Sequence, residues 1–301
     1  MSKAHHEDIR IGTLAGRGPQ TAEYIAAILP HGFESFQINF WRSLEGVELP
    51  ELAKQLQPLL EENGAVVSCL GVYGNTLEYG PEAEAVRTAF EACIDHAHCF
   101  GTDLVTGFTG RLIGKSIPDC LKRYTEVFAP LAQRARDQGV RLAFENCASG
   151  GNWQTGDWNL AHSPAAWELL FDALPDESIG LEWEPCHQML LGIDPLLQLK
   201  KWLPHIFHIH GKDASLFPEV IAEYGYFSEH PVGDHRTPGF GDTNWTDLIS
   251  ILRKGGYTGS IDIEGWHDPV YRDELELTGQ VHALNYLKAC RGGPFIENPD
   301  I

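Results

Sequence analysis

The 301-residue sequence has no apolar run approaching the ~20 residues that a membrane-spanning helix needs. Its opening residues, MSKAHHEDIR, carry no apolar signal core, so neither secretion nor membrane insertion is expected and the chain is placed in the cytoplasm. Positive charge is scarce: 22 Lys+Arg stand against 42 Asp+Glu, a formal charge of −20. Such a surface repels phosphate backbones and anionic lipid, which argues against nucleic acid or a membrane as partner. Cysteine pairing is lacking too. Cys69, Cys93, Cys99, Cys120, Cys147, Cys186 and Cys290 are an odd set scattered through apolar segments with no CxxC pair, as expected of reduced thiols. Phosphate loops are missing as well: Gly12-Thr13-Leu14-Ala15-Gly16-Arg17-Gly18 fails GxGxxG, and Gly110-Arg111-Leu112-Ile113-Gly114-Lys115-Ser116 is one residue short of GxxxxGK[ST]. An open nucleotide-binding sheet therefore lacks its characteristic first turn. No basic cluster suited to a phosphate and no flexible linker is evident.

What the chain does contain is apolar material for a substantial core, 43% hydrophobic against 21% charged residues, which excludes a disordered or fibrous chain. Short β-rich runs recur at Ile9 to Leu14, Glu34 to Phe40, Ala65 to Val72, Asp103 to Phe108, Arg141 to Glu145, Ile179 to Glu184, Ile206 to His210 and Gly259 to Glu264. Between them lie stretches with helical spacing, such as Leu52-Leu56-Leu59-Leu60, Val86-Phe90-Ile94, Leu121-Tyr124-Val127-Phe128-Leu131 and Trp167-Leu170-Phe171. Ser116-Ile117-Pro118-Asp119 and Ser163-Pro164 mark helix starts; Gly64, Gly139 and Gly256 mark helix ends. Strand starts at 65, 103, 141 and 179 are evenly spaced, a period that suits repeated βα units without a domain break. Eight such units predict an α/β fold, a closed parallel (β/α)8 TIM barrel with outer helices, occupying residues 1–301 as one domain. Residues 211–258 depart from the period; polar and rich in Gly, Pro and His, they are expected on the active-site side as a lid or a decoration.

Barrel enzymes draw reactive groups from the C-terminal ends of different strands. Here strands five to eight end in Ala143-Phe144-Glu145-Asn146, Glu182-Trp183-Glu184-Pro185-Cys186-His187, His208-Ile209-His210-Gly211-Lys212-Asp213 and Asp262-Ile263-Glu264-Gly265-Trp266. Three converging carboxylates, Glu145, Glu184 and Glu264, repel one another unless their pKa values rise or a cation binds. One divalent metal with His210 as fourth ligand resolves the conflict. Three oxygens and an imidazole form a hard site, suited first to Mn²⁺, with Mg²⁺, Zn²⁺, Fe²⁺ and Co²⁺ also admitted. Glu182, inward by the same parity and two residues deeper than Glu184, is an alternative ligand. Singly, such a glutamate is more often an ion-pair partner and such a histidine a core residue; it is the four together that point to a metal.

Five segments in order, these strand ends together with Pro238-Gly239-Phe240-Gly241-Asp242-Thr243-Asn244-Trp245, resemble the xylose isomerase-like barrels. That family includes ketose 3-epimerases, hydroxypyruvate isomerases, inosose dehydratases and AP endonucleases, and the resemblance covers essentially the whole chain. It implies a metal-dependent sugar isomerase or epimerase: Glu145, Glu184, His210 and Glu264 binding the metal, and His187 and Arg236 contacting the sugar. It further implies that Glu145 and Glu264 are the acid/base pair, one removing a proton beside a carbonyl and the other returning it to the opposite face of a metal-stabilised cis-enediolate. Return of the proton to the neighbouring carbon gives aldose–ketose isomerisation; departure of a β-hydroxyl gives lyase or dehydratase chemistry on an inosose or 3-keto-glycoside. One departure stands out. The family's sixth-strand motif usually reads D-x-x-H, whereas this chain has Glu184-Pro185-Cys186-His187, which lengthens the ligand by a methylene.

A sugar or sugar derivative also suits the aromatic residues Trp41, Tyr73, Trp153, Trp158, Trp183 and Trp266 at or after strand ends, each of which has barrel core as its competing role. The loop Gly150 to Asn159, with two tryptophans, reads as a substrate wall. Lys212 either pairs with Asp213 to order its loop or stands near the substrate; His208 lies inward, below the site. His96, His98, His205 and His230 are read as surface or helix residues, and His5 and His6 as part of a mobile terminus. AP endonuclease activity, which in this family goes with a trinuclear zinc site, would need histidines after strands three and four, where the chain has Val72-Tyr73-Gly74-Asn75 and Gly107-Phe108-Thr109-Gly110. A catalytically silent sugar-binding barrel is the non-enzymatic alternative. Barrels of this family often associate, so a homo-oligomer is admitted.

Overall fold

Alternation within each strand sets the architecture, because residues of one parity face the barrel axis and residues of the other face the helices. The computed structural model describes residues 8–44, 46–265, 267–293, 296 and 298–299; Trp266, His5 and His6 lie outside the described residues. In chain order the elements are β1 (Arg10–Ala15), α1 (Thr21–Ile28), β2 (Ser35–Trp41), α2 (Leu49–Asn63), β3 (Val66–Tyr73), α3 (Pro81–His96), β4 (Leu104–Gly107), α4 (Ile117–Asp137), β5 (Arg141–Glu145), α5 (Pro164–Ala173), β6 (Ile179–Trp183), α6 (Pro185–Leu190), α7 (Pro195–Trp202), β7 (Ile206–Gly211), β8 (Asp213–Leu216), α8 (Pro218–Tyr224), β9 (Gly233–Arg236), α9 (Trp245–Lys254), β10 (Ser260–Ile263) and α10 (Glu276–Arg291). Eight strands close a parallel barrel in the order β1-β10-β7-β6-β5-β4-β3-β2, a (β/α)8 TIM barrel. Each of the eight expected strand runs is a barrel strand, with ends shifted by a residue or so.

The irregular segment 211–258 is more ordered than its composition implies. β8 and β9 pair antiparallel, with α8 between them, over the C-terminal mouth of the barrel. Among the described residues no helix is long and apolar enough to cross a membrane.

Apolar burial is concentrated between barrel and helices. Phe36, Ile38, Leu70, Val72, Phe144, Leu181, Ile209, Ile261 and Ile263 from the strands pack against Ile25, Leu56, Phe90, Phe128, Trp167, Leu248 and Leu284 from the helices. Each such side chain removed from water contributes about 1.5–3 kcal/mol. The lumen, by contrast, is polar: Ser35, Gln37, Thr106, Glu182, His208 and Asp262 are all buried within it. Asp262 accepts from Ser35 Oγ at 2.5 Å and from Ser68, and its Oδ2 lies 2.9 Å from His208 Nε2. Gly12 makes room for this cluster, since a Cβ there would overlap Ser35 and Asp262; the glycine that failed as part of a nucleotide loop serves close packing inside β1.

Local signals act as their chemistry dictates. Ser116 caps α4 by accepting from the Asp119 amide, with Pro118 in the first turn. Ser163 occupies the equivalent place before α5, where Pro164 starts the helix, but among the described residues its hydroxyl finds no capping amide. Gly64 closes α2 in the left-handed conformation at φ 64° and donates to the Glu61 and Leu60 carbonyls.

Candidate active site

The four strand ends that carry acidic and imidazole groups are adjacent around the barrel, in the order β5, β6, β7, β10. Glu145 ends β5, Glu184 follows β6, His210 lies within β7 and Glu264 follows β10. One donor atom from each lies within 4.8 Å of those of the other three, and all four residues are buried. His210 Nδ1 is 3.1 Å from Glu264 Oε2 and 3.6 Å from Glu145 Oε1.

Asn146, directly after Glu145, holds two of these ends together. Its Oδ1 accepts from the Glu184 amide at 2.8 Å and its Nδ2 donates to the Glu184 carbonyl at 2.9 Å. This reciprocal pair orients the turn from β6 into α6, at whose N-terminus Glu184 sits in an extended conformation.

Charge is unevenly settled. Burial pushes the Glu145 carboxyl up to about 7, against the electrostatic attraction of His210 and with the help of Glu264. Burial likewise pushes Glu184 up to about 8, opposed by Lys212. Burial alone would raise Glu264, but the Lys212 ammonium, His210 and His267 hold it well below the usual carboxylate range. His187 is driven down to about 3 by burial and by Lys212, and His235 to about 3 for the same reasons; both are neutral imidazoles near pH 7.

Both oxygens of Glu184 are buried without a hydrogen-bond partner, although Oε1 stands 2.7 Å from His187 Nε2 out of line for a hydrogen bond. A buried carboxylate left so is costly unless a cation meets it. The set of three carboxylates and an imidazole nitrogen fits a divalent ion.

Glu182 does not join this set. It lies one layer deeper, with Oε1 3.0 Å from His208 Nδ1 and 3.1 Å from His210 Nε2, and accepts from the Tyr73 hydroxyl at 2.6 Å. His208 lies beneath the site, bridging Glu182 and Asp262.

A cavity of about 670 Å³ opens over these groups, with Trp41, Tyr73, Cys147, His187, Lys212 and Glu264 in its wall. A second, of about 560 Å³, lies at the other end of the barrel beside Arg10, Asp103 and Arg141, far from the carboxylates. Lys212 Nζ is 2.6 Å from Glu264 Oε1. It is not paired with Asp213, whose carboxylate instead accepts from Thr243 and from Trp245 Nε1. Arg236 and Trp153 are outside the cavity lining: Arg236 Nε donates to Asp268 at 3.1 Å, and the Trp153 carbonyl accepts from the Ile117 amide and from Arg111. Trp183 is core, fully buried with Nε1 donating to Gln198. Of the loop expected as a substrate wall, Gly150 lines the cavity, while Trp158 lies under the Arg42 guanidinium.

His235 and His267 also line the cavity and were missed as site residues. His235 stands on β9, its Nδ1 3.4 Å from the Cys186 thiol, and His267 Nδ1 lies 3.3 Å from Glu264 Oε1. In the sequence His235 stands in the turn-rich segment before Pro238 and, with Asp234, loosely matches a ligand motif of the AP endonuclease zinc site; nothing in the sequence singles out His267.

A family model described as xylose isomerase-like TIM barrel matches residues 25–290. The chain belongs to the xylose isomerase-like TIM barrel family. The chain is 24% identical over 272 residues to the uncharacterized protein YfiH of Bacillus subtilis, covering 80% of this chain and 83% of the relative. It is 25% identical over 151 residues to an inosose dehydratase of Bacillus thuringiensis, a match spanning about half of each chain (48% and 47%). In fold it is similar to the 3-keto-D-glucoside 4-epimerase YcjR of E. coli, with a TM-score of 0.68 at 16% identity over 94% of this chain and 100% of that one. Curated relatives thus carry the name inosose dehydratase, and a structure of similar fold that of a sugar epimerase.

Proposed function

We propose that this chain, acting as one domain over residues 1–301 in the cytoplasm, is a divalent-metal-dependent sugar isomerase or epimerase whose substrate is a ketose or keto-sugar. The observation that carries the reading is the convergence of Glu145, Glu184, His210 and Glu264, with both buried Glu184 oxygens lacking a hydrogen-bond partner. These four residues would hold the ion, Mn²⁺ by first choice. When bound, it would supply positive charge beside a carbonyl and its neighbouring hydroxyl, lowering the cost of a cis-enediolate.

Glu145 and Glu264 are the proposed acid/base pair. They rise from β5 and β10, three strands apart around the barrel, so a sugar between them meets one carboxyl on each side. One carboxylate takes the proton from the carbon next to the carbonyl; the other, entering the step protonated, delivers a proton to the opposite face. Lys212 and the Glu264 Oε1 it holds border the substrate space, and His187 and Tyr73 supply further walls. Arg236 and Trp153, placed outside the lining, enter this reading only through movement of their loops on substrate binding.

A second reading, a lyase or dehydratase acting on an inosose or 3-keto-glycoside, is favoured by one feature. The buried Lys212 ammonium borders the cavity and can donate a hydrogen bond to a departing hydroxyl, while Glu184 and Glu264 hold its proton more firmly than usual. Inosose dehydratase relatives agree with it.

Two measurements test the proposal. Elemental analysis should find about one divalent ion per chain, lost in His210→Ala and Glu264→Gln; three zincs would instead favour a nuclease, and none after reconstitution would leave a sugar-binding barrel. Incubating the Mn²⁺-loaded protein with ketoses, aldoses, inososes and 3-keto-glycosides in D₂O should place deuterium beside the carbonyl. Glu145→Gln and Glu264→Gln should each slow exchange by about 10²–10⁴-fold. A loaded protein that exchanges none of the four classes counts against proton transfer, and a conjugated carbonyl product would select the lyase.

A further inference from the structure

The lumen beneath the carboxylates holds a chain of hydrogen bonds whose directions can be worked out from one end. Glu182 is fully buried and stands among His208, His210 and Tyr73. Its Oε2 is 2.6 Å from the Tyr73 hydroxyl, and a carboxylate can only accept there, so the single phenolic proton goes to Glu182. With its proton spent, the Tyr73 oxygen can only accept from its other neighbour, the Gln37 side-chain amide at 2.5 Å. Thr106 Oγ1, 3.2 Å from the same nitrogen, is a second acceptor. The NH₂ end of Gln37 therefore faces Tyr73 and Thr106, and its carbonyl end, Oε1, faces His210 Nε2 at 2.8 Å.

That settles the state of one imidazole nitrogen. A carbonyl oxygen on one side and Glu182 Oε1 at 3.1 Å on the same nitrogen are both acceptors, so Nε2 must carry a hydrogen. Nδ1 is the nitrogen turned toward Glu145 and Glu264, at 3.6 and 3.1 Å, and so the one that a cation among those carboxylates would meet. The opposite amide orientation would put two acceptors, Gln37 and Glu182, in competition for one phenolic proton, and the observed orientation avoids this.

We propose that Gln37 and Tyr73 are positioning residues that lock His210 with Nε2 protonated and Nδ1 presented to the metal. This inference rests on the metal reading above and adds to it which nitrogen binds and what makes it bind. Tyr73 thereby has a role through His210, with its hydroxyl turned away from the cavity that its ring helps to line. Neither residue carries a metal-ligand signature in the sequence; Gln37 reads as one polar position in the β2 run Ser35-Phe36-Gln37-Ile38-Asn39-Phe40.

The test uses the full-length protein labelled with ¹⁵N-histidine and loaded with ¹¹³Cd²⁺, which reports the bound nitrogen through one-bond cadmium–nitrogen coupling. Wild type should show a coupled imidazole with cadmium at Nδ1 and a proton at Nε2, absent from His210→Gln. Tyr73→Phe and Gln37→Met should lose that uniform signature and bind Cd²⁺ about 10–100-fold more weakly, the range typical of groups that orient a ligating histidine. Melting curves identify variants that are folded, and the wild-type spectrum by itself decides which nitrogen binds. Coupling through Nε2 in wild type overturns the proposal. So does an unchanged Nδ1 signature with affinity within twofold in both folded variants. Failure of the wild type to bind Cd²⁺ or Mn²⁺ at all would sink the metal reading itself, an outcome distinct from binding through the other nitrogen.

Discussion

Lys212 and Glu264 form a buried ion pair at the mouth of the barrel, Nζ to Oε1 2.6 Å, with Lys212 1% and Glu264 6% exposed. They sit on neighbouring strand ends, past β7 and β10, where the strand order makes them adjacent. The pair anchors one oxygen of Glu264 and leaves the other toward His210.

Lys212→Met should therefore destabilise the metal-free protein by about 3–5 kcal/mol, the usual effect of leaving a buried charge without its partner. Urea denaturation with EDTA present measures it. Adding Glu264→Gln should recover a large part of the loss, showing coupling between the two sites; additive losses would contradict the pairing.

Divalent metal should stabilise the fold. At a free Mn²⁺ concentration 100 times the dissociation constant the expected gain is about 2.7 kcal/mol, seen as a rise in Tm that EDTA reverses. Glu184→Gln should cut both the shift and the bound metal. A full shift in this variant would transfer the ligand role to Glu182.

Asn146→Ala removes both hydrogen bonds to the Glu184 backbone and leaves a buried amide and carbonyl without partners, about 1–3 kcal/mol each. Chemical denaturation should register a loss in that range, together with weaker metal binding because Glu184 is no longer held in place. An unchanged midpoint and metal affinity would show that the turn is held by other contacts.

His162 provides a pH signature away from the metal ligands. Burial, with the Arg111 guanidinium nearby, drives its pKa from 6.5 down to about 4. The unfolded chain then binds a proton below pH 6.5 that the folded chain refuses until about pH 4, so stability is present above 6.5 and falls as pH drops through this window. The loss attributable to this residue reaches about 3 kcal/mol at 1.36 kcal/mol per pKa unit. His162→Gln should flatten the stability curve between pH 6.5 and 4 relative to wild type; parallel curves would assign the acid sensitivity to other groups.

Much of this molecule is written locally. The eight strand runs, the cap at Ser116, the helix start at Pro164 and the glycine stops at Gly64, Gly139 and Gly256 are short-range signals, and short-range physics sets them: apolar alternation, a hydroxyl reaching an amide, a ring that pre-sets φ, a left-handed turn without a Cβ. Glu145, Glu184, His210 and Glu264 were legible for the same reason, since each is an ionisable group at the end of an apolar strand and strand polarity alone sends such groups to one rim. Which charges meet was not legible. Whether Lys212 faces Asp213 or Glu264, whether Glu182 or Glu184 lies level with His210, and that His235 and His267 join the cavity all depend on the closure of the barrel, which brings β7 beside β10, and on the β8–β9 hairpin over its mouth. Gln37, Tyr73 and Glu182 come from β2, β3 and β6, far apart in the chain, and acquire defined hydrogen-bond directions only where barrel closure brings their inward-facing side chains together. Sequence determined the strands, the barrel and the candidate ligands, because each depends on residues near one another in the chain; tertiary structure decided the pairing of buried charges, because that depends on distances between strands.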